Sequence, residues 1–467
     1  MKKLIFTILI ILLCLTSFML VSCDEEEDTT TVKPPEFSIT YELNGGTNSV
    51  DNPLTYKKGD VVTLNNPTKD NYYFKGWYTD ASFTNKITEI KDKSENITLY
   101  AKWIPVVTYN ISYELNGGTN NTENPKTYKT GDTVSLAFPE KADYMFAGWY
   151  TDSGLTNEIK EIKDREQSLI LYAKWIPYDD VFEFYQGDIS FRVCIRPYYY
   201  IETIIIPSEY EGLPVTKITG IGRYSYNMFK TVFISESVTE IPLTAFTSAV
   251  TSDHVEISLE YISVDPNNPK FKSVDGVLYS KDGKTLFNYP ANKRGDSFTI
   301  PDGVTSINNF AFTRSVNLKS ITISDSVTTI GRCSFMYCTT LEEIVIPKGV
   351  TILNDNTFKE CTSLKRVTLS SGVHTIDSNA FEKCISLESI NIPNSAKTIG
   401  NWAFSDCYSL KSIVIPSSVT TIKEVAFRNC PSLTAYCEAE TKPEGWNDKW
   451  FSYGTENVVW GYDGSND

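Results

Sequence analysis

One phenylalanine returns every 23 residues through the C-terminal part of the chain: Phe312, Phe335, Phe358, Phe381, Phe404 and Phe427. Val304, Val327, Val350, Val373, Ala396 and Val419 keep the same step, as do Leu318, Leu341, Leu364, Leu387, Leu410 and Leu433. The unit reads V-x-x-I-x(3)-A-F-x-x-C-x-x-L-x-x-I-x-I-P, and its L-x-x-I-x-I stretch reads as a strand. A fixed period in this range marks a solenoid. One unit cannot bury its apolar face alone; stacked neighbours bury it for one another.

The beat is looser upstream. Val215 and Val238 are one step apart, and "VTEIPLTAF" has the right apolar phases. Extra residues fall between Phe271 and Pro290, where short apolar runs flank Asp275-Gly276 and Asp282-Gly283. These turn pairs predict a β-hairpin. It is expected to project from the solenoid and to offer Tyr279, Phe287 and Tyr289 as a second candidate contact surface.

Cys338, Cys361, Cys384, Cys407 and Cys430 share one phase, held by Ser315 in the first regular unit. Stacked units place these cysteines ~4.8 Å apart in one line. That spacing suits a disulfide, but side chains at one phase run parallel rather than turning toward each other. Zinc needs ligands that converge tetrahedrally, and a ladder does not converge. A buried wall of small apolar thiols is the favoured reading. Cys333 and Cys437 fall off this ladder. A nucleophile would need a base, and the chain has two histidines, His254 and His374. No G-x-S-x-G, H-E-x-x-H or phosphate loop occurs. The expectation is a protein that is not an enzyme and takes no metal or cofactor.

Function then falls to the exposed phases. The residue after the leucine reads Lys319, Glu342, Lys365, Glu388, Lys411, alternating in sign. In a stack this makes a charge ladder, weak as glue but unfavourable to a slip by one unit. The outward strand phases hold Ser320, Thr322, Glu343, Val345, Arg366, Thr368, Ser389, Asn391, Ser412 and Val414. This strip is small, polar and nearly free of rings. It suits a shallow protein contact better than a sugar, and its ten residues are the candidate protein-binding surface.

A second repeat precedes the solenoid. "YELNGGTN" begins at Tyr41 and Tyr113, "GWYTD" at Gly76 and Gly148, "LYAKWIP" at Leu99 and Leu171, each 72 residues apart. Alternating apolar runs and Asn-Gly-Gly turns predict a small β-rich module. Trp77, Trp103, Trp149 and Trp175 read as core rather than a sugar platform. Asp80 and Asp152 read as turn formers.

The chain begins "MKKLIFTILIILLCLTSFMLVSC", with a basic start and an apolar run too short for a comfortable span of ~20 residues. After Cys23, "DEEEDTTTVKPP" is a charged, proline-stiffened tether. The net charge of −15 becomes −17 without Lys2 and Lys3. So acidic a chain has no electrostatic footprint for nucleic acid.

Three resemblances follow from these residues. Leu20-Val21-Ser22-Cys23 resembles a bacterial lipobox, which implies cleavage before Cys23, lipid on Cys23, a membrane tie through that lipid, and a place outside the cytoplasm. The "ELNGG", "F-x-GWYTD" and "LYAKW" copies resemble the Listeria–Bacteroides repeat, which implies β-grasp-like surface modules. "IPSSVTTIKEVAFRNCPSL", the Asp-Gly hairpin and the ending "CEAETKPEGWNDKWF" resemble the BspA-like, or Treponema-type, leucine-rich repeat. That resemblance implies surface adhesion to host or neighbouring-cell proteins.

The expected chain is mainly β, with two small β-grasp-like modules followed by a leucine-rich-repeat solenoid of short strands and turns. Its expected parts are a lipoprotein signal peptide at 1–22, a tether at 23–36, modules at 37–105 and 109–177, the solenoid at 181–437 with a hairpin insertion about 271–290, and a cap at 438–467. The expected function is non-catalytic binding at the bacterial surface; the alternative is a structural or ligand-capture component of a surface assembly, with an enzyme last.

Overall fold

The computed structural model describes residues 35–196, 201–221, 229–246, 258–451 and 457–464. The expected signal peptide, Cys23, most of the expected tether and His254 lie outside the described residues. The chain divides into two compact units. The first module makes up most of one, and the second module with the solenoid makes up most of the other. Among the described residues, the helix is a single turn, Tyr178–Val181, and no helix is long and apolar enough to cross a membrane.

Each module is a five-stranded mixed sheet. In the first, strand Glu36–Glu42 runs parallel to Ile97–Pro105, which pairs antiparallel with Tyr72–Tyr78 on its other side. The second repeats this with Thr108–Glu114, Leu169–Pro177 and Tyr144–Tyr150. The parallel pairing of first and last long strands is the β-grasp-like feature. The crossover carries a short antiparallel pair, Val62–Thr63 with Glu89–Ile90, in place of a helix.

The repeated motifs have local causes. Trp77 and Trp149 are buried, and their indole N–H groups donate to the carbonyls of Asn65 and Ala137 at 3.0 and 3.2 Å. In Asn-Gly-Gly, Asn44 and Asn116 sit at positive φ and donate side-chain bonds to Ala101 and Ala173. The second glycine is set by packing: a Cβ on Gly46 or Gly118 would lie 2.5 Å from the ring of Trp103 or Trp175. Asp80 accepts backbone N–H bonds from Thr84 and Asn85 and closes a turn.

In the solenoid, parallel strands Ser297–Thr299, Ser320–Thr322, Glu343–Ile346, Arg366–Leu369, Ser389–Asn391, Ser412–Ile415, Thr434–Cys437 and Val458–Trp460 form one sheet. Two-residue strands such as Thr375–Ile376 and Thr398–Ile399 form a second. The remaining side is made of turns, yet it is bonded from coil to coil. Phe335, Phe358 and Phe381 donate backbone N–H bonds to Thr357, Ala380 and Ala403 of the next coil, at 2.8–2.9 Å. Two columns hold this side open at positive φ. One is Phe310, Cys333, Asn356, Asn379, Trp402 and Val425; the other is Arg314, Tyr337, Glu360, Lys383, Asp406 and Asn429. Left-handed backbone disfavours all of these except asparagine and aspartate. Inter-coil bonds compensate: Cys333, Val425 and Lys383, for example, donate to Asp355, Lys449 and Ser405.

Inside, the phenylalanines stack face to face from Phe312 to Phe427, with centroids 4.9–5.3 Å apart and planes within 13°. Tyr289 extends the stack below Phe312, and Trp450 ends it edge-on against Phe427.

The hairpin differs from expectation. Strands Phe271–Val274, Val277–Ser280 and Thr285–Asn288 form a meander, and the last pairs in parallel with Ser306–Ile307. It is therefore spliced into the solenoid wall. Tyr279 and Tyr289 are 3% exposed, and Phe287 packs edge-on against Phe271. Tyr279 and Tyr289 are core and Phe287 is half-buried against it, so the three rings do not project as a contact surface. The apolar side of the meander is covered by the adjoining coils.

Candidate binding surface

Four of the five cysteines in the column are buried, and Cys430 at its end is half-buried. Cys338, Cys361, Cys384, Cys407 and Cys430 each direct Sγ at the carbonyl of the phenylalanine 26 residues earlier, at 3.0–3.2 Å. Each thiol is thus wall and weak donor together, tying its coil to the one before. Burial pushes the thiols of Cys361, Cys384 and Cys407 far above their ordinary range, and that of Cys430 up to about 12. A protonated buried thiol is a poor nucleophile and a poor ligand. The two cysteines that looked irregular are regular in space. Cys437 stands across from Ile415 in the core, where other coils have isoleucine or leucine. Cys333 belongs to the first left-handed column. No disulfide joins two cysteines among the described residues. His374 is exposed, whereas Cys384 is fully buried.

The ten strip residues occupy the outward positions of the long parallel sheet. Ser320, Glu343, Arg366, Ser389 and Ser412 stand in register across four strand pairs. The residues between them, Ile321, Ile344, Val367, Ile390 and Ile413, are buried. Eight of the ten are exposed; Ser320 and Val414 are half-buried. Val345 stands out, 60% exposed at the middle of a polar strip. Arg366 reaches Glu343 at 2.6 Å.

The charge row beside the strip is real but unevenly closed. Lys365 pairs with Glu342 at 3.2 Å and Lys319 with Asp296 at 3.9 Å. Glu388 is not within ion-pair distance of a lysine among the described residues. Similar one-coil pairs lie elsewhere, including Lys383 with Glu360 and Arg332 with Asp355. The row also runs further upstream than the regular beat: strands Thr203–Ile205, Thr231–Ile234 and Tyr261–Val264 stack in parallel, each preceded by a charge, Glu202, Lys230 and Glu260. Wider coils hide this continuation in the sequence.

Residues 284–407 and 328–455 match the model of the BspA type leucine rich repeat region, in 6 copies, and residues 37–102 and 109–174 match the Listeria-Bacteroides repeat domain. The chain carries a BspA-type leucine-rich repeat region behind two Listeria–Bacteroides repeat domains. BspA-like repeats are typical of surface proteins, and both repeat types occur in binding proteins. Among curated proteins, one from Evansella cellulosilytica, named as a membrane protein, is 40% identical over 111 residues, 23% of this chain and 16% of its own. Internalin H of Listeria monocytogenes is 30% identical over 118 residues, 24% of this chain and 21% of its own. The chain thus spans less than a quarter of the length of the curated relatives it matches. Among solved structures, a leucine-rich repeat protein from Eubacterium ventriosum is 21% identical, covering 60% of this chain and 93% of that one, with a TM-score of 0.43. The pneumococcal vaccine antigen PcpA is 15% identical, covering 87% and 94%, with a TM-score of 0.38.

Proposed function

We propose that this BspA-type repeat protein is a lipid-anchored bacterial surface protein that binds other proteins, on the host or a neighbouring cell, without catalysis. Cys23 carries the anchor, and the outward strip from Ser320 to Val414 carries the contact. One contrast supports this reading: eight of the ten strip residues are exposed, whereas four of the five repeated thiols are buried. Shallow polar strips with a few apolar points suit broad protein contacts. Val345, flanked by Arg366 and Thr368 on the next strand, is the natural anchor. The test is adhesion of cells displaying the full chain, compared with cells displaying V345E/T368E. Equal surface amounts with reduced adhesion support the reading. Equal adhesion counts against the strip.

A further inference from the structure

A cleft of about 680 Å³ lies between the second module and the first coils of the solenoid. Both walls belong to the same compact unit. The volume lies within the ~300–1,000 Å³ of small-ligand sites. The module wall includes Phe138 and Lys174; the solenoid wall includes Tyr261 and Lys293.

The second copy departs from the first where it meets the solenoid. Seventy-two residues back, Phe138, Met145 and Lys160 correspond to Asn66, Tyr73 and Thr88. Phe138 stands edge-on to Phe233 at 5.9 Å. Met145 is buried in the core that holds Val181 and Phe182. Lys160 pairs with Glu202, which also holds Lys230 at 2.9 Å. The second copy is thus built onto the solenoid, and two of its changed residues, Phe138 and Lys160, line the cleft.

The lining has an unusual charge balance for so acidic a chain. Lys160, Lys174, Lys230, Lys293 and Arg294 face Glu158, Glu202 and Glu260, a local excess of two positive charges. Glu202 and Glu260 are engaged by Lys160, Lys230 and Arg294. Among the described residues, Lys174 and Lys293 have no carboxylate at ion-pair distance. Lys174 lies over the Tyr150 ring and Lys293 bonds the Asp275 carbonyl. One ring on each wall stays open, Phe138 at 40% and Tyr261 at 43% exposed. Tyr261 lies against the Asp275-Gly276 turn, where any Cβ on Gly276 would sit 2.4 Å from its ring. The lining holds no Asn, Gln, Asp, His or Ser among the described residues. Its neutral polar groups are the hydroxyls of Tyr150, Thr203, Thr231 and Tyr261.

We propose that this cleft is a second binding site, separate from the strip, for a short acidic peptide segment with one apolar side chain. The apolar side chain enters between Phe138 and Tyr261, and its acidic neighbours meet Lys174 and Lys293. The test is fluorescence anisotropy on the full chain with three labelled peptides: one with glutamates around a phenylalanine, one with lysines replacing the glutamates, and one with alanine replacing the phenylalanine. The first should bind, and each replacement should weaken binding at least tenfold. K174A/K293A and, separately, Y261A should each weaken the first peptide at least fivefold with the melting temperature unchanged. V345E/T368E should leave it unchanged, which separates this site from the strip. Undetectable binding of the first peptide overturns the proposal. So does equal binding by the lysine variant, or displacement by an acidic oligosaccharide at equal concentration.

Discussion

At the scale of single residues, repetition assigns the cysteine its task. A thiol that meets the same carbonyl in coil after coil packs and donates. Denaturing the mature protein without reductant should release eight titratable thiols from the region described, and the native protein should react far more slowly. A count reduced by two or more would mean a disulfide. Cys384→Ala should cost about 1–3 kcal/mol, through lost volume and a lost donor, read from denaturant unfolding. Gly118→Ala should cost about 1–3 kcal/mol by overpacking against Trp175. The phase of the ladder was legible because five coils spell it alike. Cys437 was not, because Thr434 pairs with Ser412, one residue short of the usual step. Cys333 was not, because its column mixes phenylalanine, asparagine, tryptophan and valine, which share a backbone conformation and no chemistry.

At the scale of elements, the phenylalanine stack is the spine. Phe381→Ala, in mid-stack with neighbours at 5.2–5.3 Å on both faces, should cost about 3–5 kcal/mol and lower the melting temperature. Glu342→Lys should lower it more at low salt than at high salt, because it opposes Lys365 on the next coil; a salt-independent change would remove the charge row from the account. The contact of the second module with the solenoid should respond to acid. Lys160 and then Lys230 hold the Glu202 carboxyl down at about 2, below its ordinary 4.5. A depressed carboxylate stabilises the fold above the ordinary value, and that stability is lost as pH falls from about 4.5 toward 2. Melting curves across that window should fall less steeply for Glu202→Gln. The strands and both Asp-Gly turns could be read from sequence. The burial of the meander could not, because the residues covering Tyr279 and Tyr289 come from other coils. The third, turn-like side was also hidden, since its inter-coil bonds use left-handed residues that no strand pattern anticipates.

At the scale of the whole molecule, the mainly β order of two modules and a solenoid was legible because each part repeats. The different fates of the two modules were less so. Their shared motifs fix a common fold, whereas three of the changed positions, Phe138, Met145 and Lys160, join the second copy to the solenoid. The outward strip was placed by the strand alternation alone, and Val345 stands out by its own exposure rather than by any motif. The strip as the contact surface is the central claim. It is tested most directly by surface plasmon resonance of the purified chain over immobilised host-matrix and neighbouring-cell proteins, wild type against V345E/T368E. The account predicts at least one saturable interaction that the variant weakens tenfold or more without a change in melting temperature. Wild-type affinity in the folded variant, for every protein bound, would contradict it.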